Sequence, residues 1–379
     1  MHDVGVSGQP RNDSRRYRAV VVGLEHYHVT GWVETLEGFD AELEIVALYD
    51  PDPERGRRLG PTHHDPSLRP ALGDRDRDVP VETDLSRLIE RYAPDIALIT
   101  LPDRDAPAAI EQLARAGVHM VIDKPAARSA AEARQAFDAV RVAGIQVVVG
   151  LTRRYSPGPR AARAFIADGG LGPLVSAEAV FVASSVRVRD PNNMLFDAQR
   201  SGGGILRWLG IHDLDTLLWL TGEPVVEVSA MAGRVGHRGL AVEDVISVAL
   251  RFAGGGIGTV HQAYALPARG YRSWLALRGL DASLELHDEN ELVVLTAGGP
   301  GDGVREDVRR FEVPPSGGYG ASGHAAVRDL LGAIREGRAT AADGDALVAA
   351  HELIDAAYES ARTGRRVRLG TQGRGRTVG

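Results

Sequence analysis

The sequence of 379 residues predicts a two-domain chain: an α/β domain on a doubly wound parallel sheet, then an α+β domain on a large, mostly antiparallel open sheet. Two observations predict this. As far as Gly150, apolar runs of strand length alternate with stretches of helical periodicity. Beyond Gly150 the pattern changes to period-two strands separated by turn signals such as Gly254-Gly-Gly256 and Asp288-Glu-Asn290. The length is enough to bury both cores.

The elements follow in order. Residues 1–16 are polar, lack an apolar h-region, and read as a disordered leader rather than a signal peptide. Tyr17–Gly23 is a buried strand running into a glycine, and Val29–Phe39 carries Val29, Trp32, Val33 and Leu36 at helical spacing. Leu43–Tyr49 is a second strand, ended by Asp50-Pro51. Gly60–Asp78 reads as a surface insertion, Val79–Val81 as a short strand, and Asp84–Tyr92 as a helix. Strands over Asp95–Pro102, Met120–Ile122 and Ile145–Gly150 alternate with helices over Ala106–Gly117 and Ser129–Ala143. The dinucleotide-type domain therefore spans 17–150 and the second domain 151–369.

In the second domain, Ser156–Asp168 is a helix. Strands are predicted at Leu174–Ala183, Val225–Gly233, Val245–Phe252, Ile257–Tyr264, Trp274–Gly279, Ala282–Leu286 and Leu292–Thr296. Gly204–Leu220 is an apolar helix, and amphipathic helices within 323–364 are expected near the domain junction. Val367–Leu369 is a last short strand, and 370–379 a disordered tail.

Bulk composition narrows the function classes. A net charge of −7 argues against a nucleic-acid footprint. No run approaches a membrane span, and the absence of cysteine rules out disulfides and thiol chemistry and fits a reducing cytoplasm.

Three stretches carry chemistry. Gly23-Leu24-Glu25-His26-Tyr27-His28 occupies the slot where a dinucleotide fold carries G-x-G-x-x-G, glycines that bring backbone N–H groups close to a pyrophosphate. Only the first glycine is kept. Asp50, ending the next strand, suits both hydroxyls of an adenosine ribose and repels a 2′-phosphate, which favours NAD over NADP. His26 and His28 invite a metal, but a catalytic zinc needs three protein ligands and no third lies nearby in sequence, so none is assigned. Next, Asp123-Lys124-Pro125 ends an apolar strand abruptly, placing an amine where open α/β sheets bind ligands and where partial burial makes it usable for proton transfer. Finally, Gly202-Gly-Gly204 leads a helix on which Trp208 and His212 share a face, with Asp215 close behind. His212 is either a satisfied core histidine or, if it faces the cleft, a general acid/base. Arg153, Arg154 and Tyr155, just past the crossover, are candidates to meet substrate hydroxyls or a carboxylate.

Together these motifs resemble the glucose–fructose oxidoreductase / inositol dehydrogenase / MocA family over nearly all of Tyr17–Leu369. The marks are Asp95-Ile-Ala-Leu-Ile-Thr-Leu-Pro-Asp103, Asp123-Lys124-Pro125, Gly150-Leu-Thr-Arg-Arg-Tyr155 and Gly202-Gly-Gly204…Gly210-Ile-His212. Ala333-Ile…Gly337 and Tyr358…Gly364 complete the set. The resemblance implies an NAD(P)-dependent oxidoreductase acting on sugars, cyclitols or related polyols. It implies that Thr100, Leu101, Pro102 and Asp105 border the cofactor, with Asp123 at its ribose, Lys124 at the reacting carbon–oxygen group and His212 relaying the proton. It also implies a homodimer or homotetramer formed through the C-terminal sheet.

The chain departs from the family pattern at Trp208, where the proton-relay trio usually has Asp. It departs again at Asp105, where many members have histidine, and at Glu25. Trp208 offers a stacking surface for a sugar ring or aglycone. The departures keep two alternatives open: a dinucleotide- or sugar-sensing regulator without catalysis, and a redox-neutral glycoside-processing enzyme with tightly bound NAD.

Overall fold

The computed structural model of the protein describes residues 15–58, 79–184, 186, 190, 192–236, 239–287, 289–299, 301–314 and 316–370. The insertion expected over Gly60–Asp78, nearly all of the leader and the tail beyond Gly370 lie outside these residues.

Tyr17–Val22 (β1), Leu43–Tyr49 (β2), Val81–Glu82 (β3), Ile96–Ile99 (β4), His119–Ile122 (β5) and Val147–Val149 (β6) form one six-stranded sheet in the order β3-β2-β1-β4-β5-β6. Every pairing in it is parallel. All residues of β4, and all but the first of β5, are buried, which is why these strands read as unbroken apolar runs. Between them run helices His28–Glu37 (α1), Pro53–Arg58 (α2), Leu85–Tyr92 (α3), Ala106–Arg115 (α4) and Ala130–Ala143 (α5). Asp84 and Ser129 begin α3 and α5 by accepting from Arg87 N at 3.1 Å and Glu132 N at 3.2 Å. The strand order reverses between β1 and β4, so the loops after them open a crevice at the carboxyl edge. The strand expected over Asp95–Pro102 is shorter, because the chain leaves the ladder after Ile99 to reach that crevice.

The second sheet has nine strands: Leu174–Ala183 (β7), Val225–Gly233 (β8), Val245–Phe252 (β9), Ile257–Ala263 (β10), Tyr271–Gly279 (β11), Ala282–His287 (β12), Glu291–Ala297 (β13), Val304–Arg310 (β14) and Val367–Arg368 (β15). Their order is β14-β13-β12-β11-β7-β10-β9-β8-β15, antiparallel except where β7 meets β10. Sequence reading missed β14. All of its residues are exposed and five of the seven are charged, so it has no apolar period to read; as an edge strand its charges also discourage further pairing.

Helices Pro157–Ala167 (α6), Ala198–Ser201 (α7), Ile211–Thr221 (α8), Gly320–Glu336 (α9) and Gly344–Thr363 (α10) complete the fold. The helix expected over Gly204–Leu220 is divided, with a π-helical turn at Leu206–Gly210 preceding α8. Such turns concentrate at functional sites. The C-terminal segment returns to the first domain. Thr340 Oγ1 donates to Val147 O and Val149 N to Ala342 O, both at 2.7 Å, while Tyr319 stacks on Trp32 at 4.3 Å between ring centroids.

Candidate active site

Gly23 ends β1 with φ +100°, and a Cβ there would lie 2.7 Å from Leu101 N and 2.8 Å from the Thr100 carbonyl carbon. Only glycine lets the chain pass this close to the end of β4. Thr100 fixes the approach from the other side, its Oγ1 donating to Gly23 O at 2.6 Å. Asp50 is buried at the end of β2 and accepts from Leu24 N at 2.8 Å and Asp52 N at 2.9 Å. Its carboxylate therefore shapes the loop as well as lying where a ribose is expected.

Glu25, the awkward charge in the fingerprint, is neutralised by residues that sequence reading did not connect to it. Arg200, from α7, grips it with contacts of 2.8 and 2.5 Å, and Arg55, from α2, lies 3.1 Å away and bridges on to Asp50 at 3.3 Å. Two guanidiniums offset the carboxylate where phosphates are expected. Asp105 is held by its neighbour Arg104 at 2.9 Å, and Leu101 and Pro102 are buried behind Gly23.

Across the crevice, Asp123 and Lys124 leave β5 with their side chains buried. Asp123 Oδ1 accepts from Trp32 Nε1 at 2.9 Å, and its Oδ2 lies 2.9 Å from His28 Nδ1. Burial pushes the Asp123 carboxyl up, against the opposing pull of His26 and Lys124. Lys124 Nζ donates to Trp208 O at 2.9 Å and sits 4.0 Å from the centroid of the Trp208 ring. Aromatic neighbours of that indole include His26 at 4.9 Å, His28 at 5.4 Å and Tyr27 at 6.0 Å between centroids. Trp208 is thus buried, its ring packed against the lysine and the nucleotide loop.

His212 is placed by the first turn of α8. Its Nδ1 is buried without a hydrogen-bond partner among the described residues. Burial, then the charges of Lys124, Arg153 and His28, hold its pKa well below the usual imidazole range. The ring is therefore neutral at pH 7.

Arg153, Arg154, Tyr155 and Asp215, expected to meet substrate, each bind other protein groups. Arg154 clasps the buried Asp215 at 2.6 and 3.0 Å and also donates to Ala341 O at 2.8 Å. Tyr155 OH donates to Asp329 at 2.8 Å. Arg153 pairs with the buried Asp213, whose other oxygen accepts from Gln262 at 2.6 Å. A buried carboxylate captures the nearest guanidinium because leaving either charge unpaired is costly. All of these contacts join parts of the second domain to one another.

A positioning network was also missed. Arg207 donates to His351 Nδ1 at 2.6 Å and to Asp355 at 2.8 Å, and His351 Nε2 donates to Pro125 O at 2.9 Å. Asp355 in turn accepts from Ala130 N at 2.7 Å. The C-terminal helix therefore fixes both sides of the lysine: the turn after Lys124 and the π-helical turn carrying Trp208. Buried Asp103 accepts from Ala126 N at 3.0 Å and steadies the same turn; burial drives its carboxyl well above the ordinary range. His351 lies about 140 residues from Arg207 in sequence (144 by position), so no local pattern could reveal the pair.

A doubly wound sheet whose switch point carries a glycine-led loop, with a buried lysine and a neutral histidine opposite, defines a dinucleotide-dependent oxidoreductase. Comparison with known proteins agrees. Residues 17–151 match the model of the oxidoreductase family with an NAD-binding Rossmann fold, and residues 160–285 match the GFO/IDH/MocA C-terminal domain. The chain belongs to the Gfo/Idh/MocA family of NAD(P)-dependent oxidoreductases. It is similar to inositol 2-dehydrogenase of Rhizobium meliloti, 29% identical over 286 residues, covering 73% of this chain and 81% of the relative. It is 26% identical to D-apiose dehydrogenase of Paraburkholderia graminis, over 94% of this chain and 90% of that one. Among solved structures, levoglucosan dehydrogenase in complex with NADH superposes with a TM-score of 0.77 at 20% identity, covering 94% of this chain and 100% of that one. Among the described residues, no helix is long and apolar enough to cross a membrane.

Proposed function

We propose that the protein transfers hydride between NAD and a carbinol carbon of a sugar-like or cyclitol-like substrate, with Lys124 as the group that holds and moves the hydroxyl proton. The observation that carries this reading is Lys124 itself, buried at the carboxyl end of β5, with a neutral imidazole within electrostatic reach. The residues present suit the cofactor. Gly23 allows the close backbone approach, Leu24 to Tyr27 form the turn into α1, and Asp50 lies where the adenosine ribose would be held. Arg55 and Arg200 offset Glu25, while Thr100, Leu101 and Pro102 wall the crevice. Bound NAD would supply the hydride acceptor.

In the oxidative direction the carbinol C–H electrons leave as hydride, and the hydroxyl proton passes to Lys124 once that amine has given up its own proton. His212, kept neutral by its depressed pKa, does not hold the proton but can pass it onward, and a carbonyl product remains. The named relatives that act on inositol and D-apiose support a polyol substrate. Lys124→Ala tests the assignment: turnover is expected to fall at least about a hundredfold while NAD still binds, and undiminished turnover removes the lysine from the mechanism.

Trp208 favours one rival. With the amine anchored on its carbonyl and ring, a sensing role without catalysis is also coherent. NAD binding combined with no change in absorbance at about 340 nm across a polyol panel would select that rival, whereas steady reduction eliminates it. Assembly into a homodimer or homotetramer through the second sheet, and a cytoplasmic location, belong to the same proposal.

A further inference from the structure

The fold brings together three residues of metal-ligand type that lie far apart in the sequence. His28 Nδ1 is 2.9 Å from Asp123 Oδ2, and His26 Nδ1 is 3.7 Å from the same oxygen. One donor atom from each of the three residues lies within 4.8 Å of the others. Ligand bonds of about 2.0–2.2 Å in a tetrahedral shell put donors roughly 3.3–3.6 Å apart, a spacing that the 2.9 and 3.7 Å separations bracket. The missing third ligand, which closed the metal reading of the sequence, is therefore the carboxylate at the end of β5.

Two further features mark the cluster as built. His26 and Asp123 are 4% and 5% exposed, so these ligand-type groups are held out of bulk water. Trp32 Nε1 donates to Asp123 Oδ1 at 2.9 Å, leaving Oδ2 to the histidines, which is the outer-shell support that orients a ligating carboxylate.

We propose that His26, His28 and Asp123 form a binding site for a divalent first-row transition metal. Two imidazoles and one carboxylate suit zinc, cobalt or iron better than magnesium or calcium, which prefer all-oxygen shells. Three protein ligands leave a coordination position for water or a substrate oxygen, as at catalytic rather than structural sites. The ion replaces the proton between His28 Nδ1 and Asp123 Oδ2. His26 exchanges the bond it accepts from His28 N, 3.0 Å long, for the ion. Binding therefore releases a proton and weakens as pH falls.

The test uses untagged full-length chain, stripped with a chelator and titrated without NAD, so that its failure leaves the nucleotide reading untouched. Zinc is followed by calorimetry and cobalt by its visible absorption. The expected result is one ion per chain with proton release. Affinity should fall at least about tenfold in His28→Ala and in Asp123→Asn, and roughly tenfold in Trp32→Phe with unchanged stoichiometry. Circular dichroism confirms that each variant is folded. His28→Gln, which keeps hydrogen-bonding capacity but ligates poorly, replaces any variant that is not. No saturable binding up to about 1 mM zinc, or equal affinity in the wild type and the His28 and Asp123 variants, would overturn the proposal.

Discussion

The loop after β1 and the turn after β5 face each other across one crevice, and they have departed from the family pattern to different degrees. The turn keeps its lysine and is held from outside: His351 binds Pro125 O, Asp103 binds Ala126 N, and Trp208 O receives Lys124 Nζ. The loop has exchanged two glycines for Glu25 and His28, and its new charges are balanced by partners from elsewhere, Arg55, Arg200 and Asp123. The contrast teaches that a motif's chemistry belongs to its partners as much as to its letters. A conserved-looking turn depends on remote anchors, and a broken fingerprint can be repaired remotely.

The largest expected effect separates the two sides by function. Lys124→Ala should lower turnover by about 10²–10⁴-fold with NAD affinity kept, whereas substitutions in the loop should change affinity first. Steady-state kinetics alongside a fluorescence titration of NAD distinguish these outcomes. Next, Arg207→Ala strips the anchor from the turn. It leaves His351 and Asp355 without their shared donor, and chemical denaturation should report a loss of about 3–5 kcal/mol.

A pH series sharpens the same point. Burial, with Arg207 adding to it, lowers the His351 pKa to about 3. Its folded value therefore lies below its unfolded one, near 6.5. The stabilisation is complete above the unfolded value and is lost as pH falls toward the folded value. Wild type should lose about 1.4 kcal/mol per pH unit from this group over that window, and His351→Gln should flatten the slope. The loop offers the smallest effect. Arg200→Gln leaves Glu25 less well neutralised, so NAD affinity should fall about tenfold and recover in the double variant with Glu25→Gln. An unchanged affinity would mean that Glu25 does not face the phosphates.

Much of this was legible in the sequence because it is local. Period-two and helical patterns depend on which side of one element meets the core, so β2, β7, β8 and β9 were read with their observed bounds. Abrupt stops such as Asp123-Lys124-Pro125 are written in single residues. β14 escaped because an edge strand buries nothing, and the π-helical turn escaped because it is mostly buried like the helix that follows it, so the sequence shows no break between them.

The sequence by itself determined the two sheets, the crevice at the switch point and the lysine at its rim, since each follows from hydrophobic periodicity and chain-local stereochemistry. Tertiary structure alone decided what every charge there is paired with. It gave Arg154 to Asp215, Arg200 to Glu25, His351 to Arg207, and Asp123 to the two loop histidines. The physical reason is that burying a charge is tolerable only with a partner close by, and which partner comes close is set by how distant strands and helices pack.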